Sequence, residues 1–115
     1  MKPLMSGLSA LVVLASAVQT LDLLQHEQGH YNLLILVARA VARELDAASD
    51  PSSPGLAAKV RAIREKHNTR AKAIDSAYDT QTGHGKDSAA QSGWNMAITA
   101  AMGNPASTTI KGMQL

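Results

Sequence analysis

The longest regular pattern in the chain predicts a helix from about Thr20 to Ala47. Apolar residues recur there at steps of three and four, which is the spacing of one helix face. Further leucines and valines lie off that face, so we expect this helix to be the buried centre of the fold. The turn-rich segment DAASDPSSPG ends it. The predicted apolar face consists of Leu21, Leu24, Tyr31, Leu34, Ile35, Ala38, Val41 and Leu45.

Two more helices follow. The second is predicted over residues 54–78, with Ser53 as its N-cap and a proline at its first position. One stripe of it is apolar and the rest is charged, which is typical of an amphipathic surface helix. The sequence SAAQ has the form of a capping box and opens a third helix over residues 88–102. Residues 105–115 have no periodic pattern and are predicted to be a weakly ordered tail.

The composition fits a mainly α fold with one domain over residues 18–104. The chain has 115 residues, 45% of them hydrophobic, but no Phe, one Trp and two Tyr. Its core must use Leu, Val, Ile, Met and Ala, which favours helices over sheets. The formal net charge is +2, and the basic residues form no dense Lys/Arg run. Nucleic-acid binding is therefore not expected. Because cysteine is absent, any metal site must use His, Asp or Glu.

Residues 1–17 admit two interpretations. One basic residue, an apolar run and the sequence ASA, similar to a cleavage site, are features of a secretory signal peptide. The same run also fits a first apolar helix of the fold. A signal peptide would make the protein secreted or periplasmic, whereas the other interpretation leaves localisation open. The run is too short and too interrupted by Ser and Gly for a stable membrane span.

The motif HEQGH lies within the long apolar helix. His26 and His30 are four residues apart, so both imidazoles project from one face and can direct a nitrogen at one zinc ion. Glu27 is turned about 100° from His26 and can accept a proton from a zinc-activated water. This is the chemistry of the H-E-x-x-H motif of zinc hydrolases. The alternative is an exposed polar stripe that binds no metal.

A hydrolytic zinc site needs a third protein ligand. Glu44 lies about 21 Å along the helix axis from His30, at 1.5 Å per residue, and cannot close the site. We favour His84, because the glycines on both sides of it let the backbone approach a metal closely. His67, on the apolar stripe of the second helix, and Asp79 remain alternatives. The residues considered are Glu44, His67, Asp75, Asp79 and His84.

Three separated stretches, HEQGHYNL, YDTQTGHG and AQSGWNMAI, resemble a bacterial family of predicted secreted zinc-dependent proteases. That family is catalogued as a domain of unknown function. Its pattern joins an HEQGH helix, a Tyr-Asp-x-Glu-Thr-x-His-Gly loop and a Gln-x-x-Trp helix. The resemblance covers about residues 21–98 and implies a zincin-like helical core. It also implies that Zn²⁺ is bound by His26, His30 and His84, with Glu27 as general base.

The resemblance implies further roles near the third ligand. Tyr78 would stabilise an oxyanion or orient a ligand, unless it is a core tyrosine. Asp79 would hold His84 in the required tautomer, unless it only ends the helix. The sequence departs from the family at Asn32, usually Asp, and at Gln81, usually Glu. We expect these departures to weaken ligand orientation rather than abolish binding.

The resemblance implies a zinc metallopeptidase that acts on a peptide or protein substrate. Family members carry β-structure before the HEQGH helix, which commonly holds the substrate in extended form, whereas about twenty residues precede the motif here. This difference supports a second hypothesis, a non-catalytic zinc-binding helical protein. A third hypothesis is a helical interaction module that binds no metal. The sequence leaves substrate preference and oligomeric state open.

Overall fold

The structure, a computed structural model, describes residues 7–115, with the side chains of residue 14 and residues 16–115. It confirms a mainly helical, small single domain. Three helices are followed by a short antiparallel hairpin in which Thr109 pairs with Gln114 and Ile110 with Met113. The elements are α1 (Gly7–Ala47), α2 (Ser53–Thr82), α3 (Ser88–Met102), β1 (Thr109–Ile110) and β2 (Met113–Gln114).

Helix α1 packs through a different face from the predicted one. Its buried residues follow the i, i+3, i+4, i+7 spacing of one stripe: Leu33, Leu36, Val37 and Ala40. Five residues of the predicted face are 40–65% exposed: Leu21, Leu24, Tyr31, Leu34 and Leu45. The prediction was wrong because the helix is apolar on several sides, and periodicity alone cannot say which side meets a partner.

The N-terminal part of α1 lies against no other described element. The helix begins at Gly7, well before the predicted Thr20. Every described side chain from residue 14 to residue 25 is exposed, so the helix is buried only from His26 onward. The segment interpreted as a signal peptide or a first helix lies partly outside the described residues, and its residues 7–17 are part of α1. Among the described helices, none combines the length and apolarity needed to cross a membrane.

The ends of α2 and α3 are set by side-chain caps. The N-cap of α2 is Ser52, one residue before the predicted Ser53, and its hydroxyl accepts a hydrogen bond from the N–H of Gly55. At the other end α2 continues to Thr82 and stops at Gly83, which is left-handed with φ 56°. A residue without Cβ adopts that conformation at little cost. The N-cap of α3 is Asp87 rather than the predicted Ser88.

The core lies where the three helices meet the C-terminal hairpin. The face of α1 packs against Ile74 and Tyr78 of α2 and Trp94 and Ile98 of α3. These residues form one buried cluster, which holds the C-terminal part of α1 at a fixed distance from α2. The contact between α1 and α2 continues beyond this cluster to His26, whose ring stacks on that of Tyr78.

The C-terminal segment is part of the core and not the weakly ordered tail predicted from sequence. Ile110 and Leu115 are each 2% exposed. Arg39 donates hydrogen bonds to carbonyl oxygens of residues 101, 102 and 104, and Arg43 donates to those of residues 105 and 107. Arg70 of α2 binds the carbonyl of Leu115 over 3.0 Å. Two-residue strands leave no periodic pattern in the sequence, which explains the error.

Candidate metal centre

Two pairs of side chains, each spaced by four residues, face each other across α1 and α2. His26 and His30 belong to α1, and Asp75 and Asp79 belong to α2. Asp79 Oδ1 lies 2.9 Å from Nε2 of His26 and 2.7 Å from Nε2 of His30. Asp75 Oδ1 lies 2.5 Å from Nδ1 of His30. The two Nε2 atoms therefore converge on a single carboxylate oxygen.

The helices approach closely because the motif has a glycine between its histidines. A Cβ on Gly29 would lie 2.6 Å from Cζ of Tyr78 and closer still to its hydroxyl oxygen. No side chain fits there, so the glycine lets the tyrosine ring pass beneath α1. The ring of Tyr78 then stacks on that of His26, with centroids 4.6 Å apart and planes 9° apart. The close packing brings α2 within reach of both histidines.

A buried network fixes the tautomer of His26, whose side chain is 2% exposed. Its Nδ1 is 2.8 Å from Oε1 of Gln91. The amide nitrogen of Gln91 donates to the hydroxyl of Tyr78 and to Oδ1 of Asn95, so Oε1 is the atom that faces the imidazole. Since Oε1 only accepts, Nδ1 must carry the proton, and the lone pair of Nε2 points toward Asp79.

The donor set fits a bound cation. A neutral imidazole has only one N–H, yet both nitrogens of His26 and both nitrogens of His30 face acceptor oxygens. The arrangement is satisfied when the rings are protonated, or when a metal ion binds Nε2 and the Nδ1–H groups donate to Gln91 and Asp75. Metal-ligating histidines in proteins commonly have such partners on the second nitrogen.

The carboxylates shift the titration of this cluster. Partial burial lowers the pKa of His30, but hydrogen bonds and charges of Asp75 and Asp79 outweigh it and raise that pKa above 6.5. Desolvation raises the pKa of Asp79, but its hydrogen bonds to His26 and His30 prevail and hold that pKa below 3.8. Without metal, the aspartates therefore favour the protonated form of His30, and the histidines favour the ionised form of Asp79.

Glu27 lies beside the histidines at the surface. One ligand atom from each of His26, Glu27 and His30 can be chosen so that all three lie within 4.8 Å of one another, a group that could hold a metal ion. The Glu27 side chain is exposed and, with both histidines, lines an open cleft of about 780 Å³. Leu23, Tyr31 and other residues of α1 and α2 complete the wall of the cleft.

The two histidines considered as third ligands occupy different places. His84 lines the same cleft, with Nδ1 3.7 Å from Asp79 Oδ1, but its side chain is 76% exposed. Its φ of 57° is left-handed, which suits the tight Gly-His-Gly turn after α2. His67 is about 18 Å from Asp79 along α2, at 1.5 Å per residue, and is buried near Glu44. His67 therefore cannot join this site.

The family model of a bacterial protein of unknown function (DUF922) matches residues 16–85, more than half of the chain. The chain belongs to the DUF922 family. The family description assigns no activity. The curated proteins contain no match, and neither do the solved structures. The DUF922 match includes the HEQGH helix, both aspartates and His84, and it ends before Gln91.

In this DUF922 chain Tyr78 lies in the core beside the ring of His26, as its ligand-orienting and core alternatives require, and it does not line the cleft, as an oxyanion role would require. The side chain is fully buried, and its hydroxyl donates to the carbonyl of His26 over 2.8 Å while accepting from Gln91. Burial raises the pKa of its phenol above 10, although the hydrogen bond from Gln91 partly offsets this. Tyr78 is therefore a core residue that positions His26, and it has no free donor for a substrate oxyanion.

The two departures from the expected family pattern lie outside the hydrogen bonds of the histidines. Gln81 Oε1 accepts a hydrogen bond from Nε1 of Trp94 over 2.9 Å. Asn32 Oδ1 accepts from Gln28 on an outer side of α1. The hydrogen-bond partners of His26 and His30 are instead Asp75, Asp79 and Gln91. The orientation of the two histidines therefore does not depend on Asn32 or Gln81.

The sequence analysis considered Asp75 only as a third metal ligand and Gln91 only as part of the Gln-x-x-Trp pattern, and it predicted neither as a partner of a histidine Nδ1 atom. Asp75 and Asp79 repeat the i, i+4 spacing of the two histidines, and two such pairs on neighbouring helices are a signal for facing side chains. No spacing in the sequence predicts the contact of Gln91 with His26, because the two residues are 65 positions apart. Only the packing of α3 against the first two helices brings it to His26.

Proposed function

We propose that this chain is a zinc-dependent metallopeptidase. One observation carries the proposal: the Nε2 atoms of His26 and His30 converge on one point of an open cleft, with the exposed carboxylate of Glu27 beside them. Two histidines of a helix and an adjacent glutamate are the groups that zinc peptidases use to bind the metal and move protons.

Within this proposal the side chains have distinct tasks. His26 and His30 bind the metal through Nε2, while Gln91 and Asp75 hold the rings by accepting from Nδ1. When bound, zinc would lower the pKa of a water molecule and polarise the substrate carbonyl. Glu27 accepts the proton of the attacking water and passes it to the leaving amine nitrogen. Its exposure in the cleft leaves it free to do so.

The cleft is suited to a segment of polypeptide. Its wall contains Leu23, Tyr31 and Leu34 of α1 together with Lys72 of α2, a mixture of apolar and polar groups. Apolar side chains of a peptide would lie against the leucines, and its backbone would face the polar groups. A signal peptide in residues 1–17 would bring this activity to a secreted or periplasmic compartment.

The substitution Glu27→Gln tests the mechanism. It keeps the size of the side chain and removes the proton acceptor, so zinc content should be unchanged while peptide hydrolysis falls by about 10²-fold or more. Zinc is measured by elemental analysis and activity with a fluorogenic peptide library. Asp46→Asn, an exposed charge near the C-terminal end of α1, is the matched control. Full activity in Glu27→Gln would refute this mechanism.

A second candidate is a zinc-binding protein without catalysis. Among residues 7–115 the strands are β1 and β2, which pack beside α3, and none lines the cleft next to HEQGH. A peptide would then have no strand edge on which to extend. Zinc binding without turnover of any member of the peptide library favours this candidate, whereas turnover that depends on Glu27 favours the peptidase.

A further inference from the structure

We propose that Asp79, and not His84, is the third protein ligand of this site. The proposal rests on the proposed zinc binding by His26 and His30 and concerns which residue completes the set. The ligands would then be two histidines from α1 and one carboxylate from α2, and the next residue along the cleft, His84, would be free for other contacts.

The distances favour Asp79. Its Oδ1 is within 2.9 Å of Nε2 of both histidines, which is the place where their lone pairs meet. Neighbouring ligands of tetrahedral zinc are about 3.3 Å apart when each lies 2.0–2.1 Å from the ion. Each Nε2–Oδ1 distance thus needs to lengthen by only about half an ångström to reach this value. A side-chain torsion of Asp79 can provide this.

Asp79 and His84 also differ in how firmly the fold holds them. Asp79 lies in the last turn of a 30-residue helix, next to the buried Tyr78, and its side chain is one-third exposed. His84 follows Gly83 in the turn and is 76% exposed. A ligand on a packed helix loses less conformational freedom on metal binding than an exposed side chain in a turn. Of the two, Asp79 is the better organised before the metal binds.

Glu27 is the other carboxylate within reach. It belongs to the group of three residues that could hold an ion, but it contacts neither histidine by a hydrogen bond among the described residues. Assigning Asp79 as ligand leaves Glu27 free as proton acceptor, and the carboxylate of Asp79 offsets one of the two positive charges of the metal. Ligation by Glu27 would satisfy the metal but remove the base.

The arrangement gives His84 a different position in the site. Its Nδ1 is 3.7 Å from Asp79 Oδ1, so the ring stands beside the proposed ligand on the exposed side of the cleft. From there it can donate a hydrogen bond to a bound molecule. Removal of His84 should therefore affect turnover of a peptide more than binding of the metal.

Zinc titration of the full chain tests the assignment. Metal is removed by dialysis against a chelator, and zinc affinity is then measured in competition with a chromophoric chelator for wild type and four variants. We expect Asp79→Asn to weaken affinity by more than about 100-fold, and Asp75→Ala, which removes only the partner of His30 Nδ1, by about 10- to 100-fold. His84→Ala should change zinc affinity by less than about 5-fold, which is a smaller effect than that of losing a residue that only orients a ligand. Asp46→Asn should match wild type.

Circular dichroism checks that each variant folds, and X-ray absorption of zinc-loaded wild type gives a readout that needs no variant. Two imidazole rings on zinc agree with Asp79 as third ligand, and three rings would overturn the assignment in favour of His84. Normal affinity in Asp79→Asn together with lost affinity in His84→Ala would overturn it as well. If wild type binds no zinc, the proposed function itself fails, a result distinct from a change of third ligand.

Discussion

Oε1 of Gln91 and Nδ1 of His26 form a 2.8 Å hydrogen bond between buried side chains of α3 and α1. The bond fixes the proton on Nδ1 because the amide nitrogen of Gln91 is already engaged by Tyr78 and Asn95. The opposite nitrogen is thereby left with its lone pair toward α2. A helix outside the HEQGH segment thus orients the imidazole of His26.

Replacing Gln91 by leucine should weaken zinc binding by about 10- to 100-fold, the usual effect of losing a partner that orients a metal ligand. The fold should persist, because leucine fills a similar volume. Chelator competition measures the affinity, with Ser92→Ala as a control at the exposed neighbouring position of α3. Equal affinity in Gln91→Leu and wild type would mean that the bond does not orient His26.

Adding a methyl group at Gly29 should destabilise the protein by about 1–3 kcal/mol, as expected for overpacking. The new Cβ would collide with the ring of Tyr78, which is fully buried and packs against the rings of His26 and Trp94. Urea unfolding of the metal-free protein measures the change in free energy. Gly93→Ala in α3 is the matched control, because its Cβ would meet only Nζ of Lys111 at 3.8 Å.

The control should be neutral or stabilising by up to about 1 kcal/mol, since alanine favours helix over glycine. An equally stable Gly29→Ala protein would show that Tyr78 is not packed beneath the motif.

Tyr78→Phe should cost about 1–3 kcal/mol of unfolding free energy, because the buried carbonyl of His26 loses its donor. Tyr31→Phe, at a 60% exposed position, should stay within about 0.5 kcal/mol of wild type. Urea midpoints distinguish the two. A Tyr78→Phe protein of normal stability but greatly reduced peptide turnover would restore the oxyanion role that the structure argues against.

The local parts of the site could be predicted from the sequence, and the parts made by packing could not. The spacing of His26 and His30 fixes their common direction on any helix, so their convergence needs no knowledge of neighbours. Asp79 reaches the two Nε2 atoms, and Gln91 reaches Nδ1 of His26, only after α2 and α3 have packed. Tyr78 was predicted as a site residue because it lies in the YDTQTGHG stretch. Its position on the apolar stripe of the second helix already indicated the core.

The fold shows the same division. Helical spacing predicted three helices, and the third matches its predicted bounds, Ser88–Met102. The buried face of α1 could not be chosen, because leucines surround the helix and only the contact with Ile74 and Tyr78 decides which of them are covered. The hairpin was missed because Ile110 and Leu115 are held by tertiary contacts and by arginines of other elements.

The stability of the metal-free protein should depend on pH through His30. Its folded pKa is raised above 6.5, so its contribution is complete below 6.5 and is lost as the pH rises through the folded value. The pKa of Asp79 is depressed, so its contribution is present above 3.8 and is lost as the pH falls through the folded value. We therefore expect greatest stability between these limits and a decline toward alkaline pH.

With zinc present, stability should instead increase as the pH rises above neutrality, because metal binding requires unprotonated imidazoles. Thermal unfolding at about pH 5.5 and about pH 8, with chelator or with zinc, measures both effects. His30→Gln should flatten the decline in chelator. A metal-free protein that becomes more stable from the acid to the alkaline condition would contradict the predicted ion pair.

The most direct test of the metal centre is an anomalous-difference map of zinc-loaded crystals, recorded at the zinc absorption edge. We expect one strong peak bounded by Nε2 of His26, Nε2 of His30 and Oδ1 of Asp79, with Gln91 and Asp75 on the far nitrogens. The absence of a peak at the two histidines would contradict the assignment of HEQGH as a zinc site.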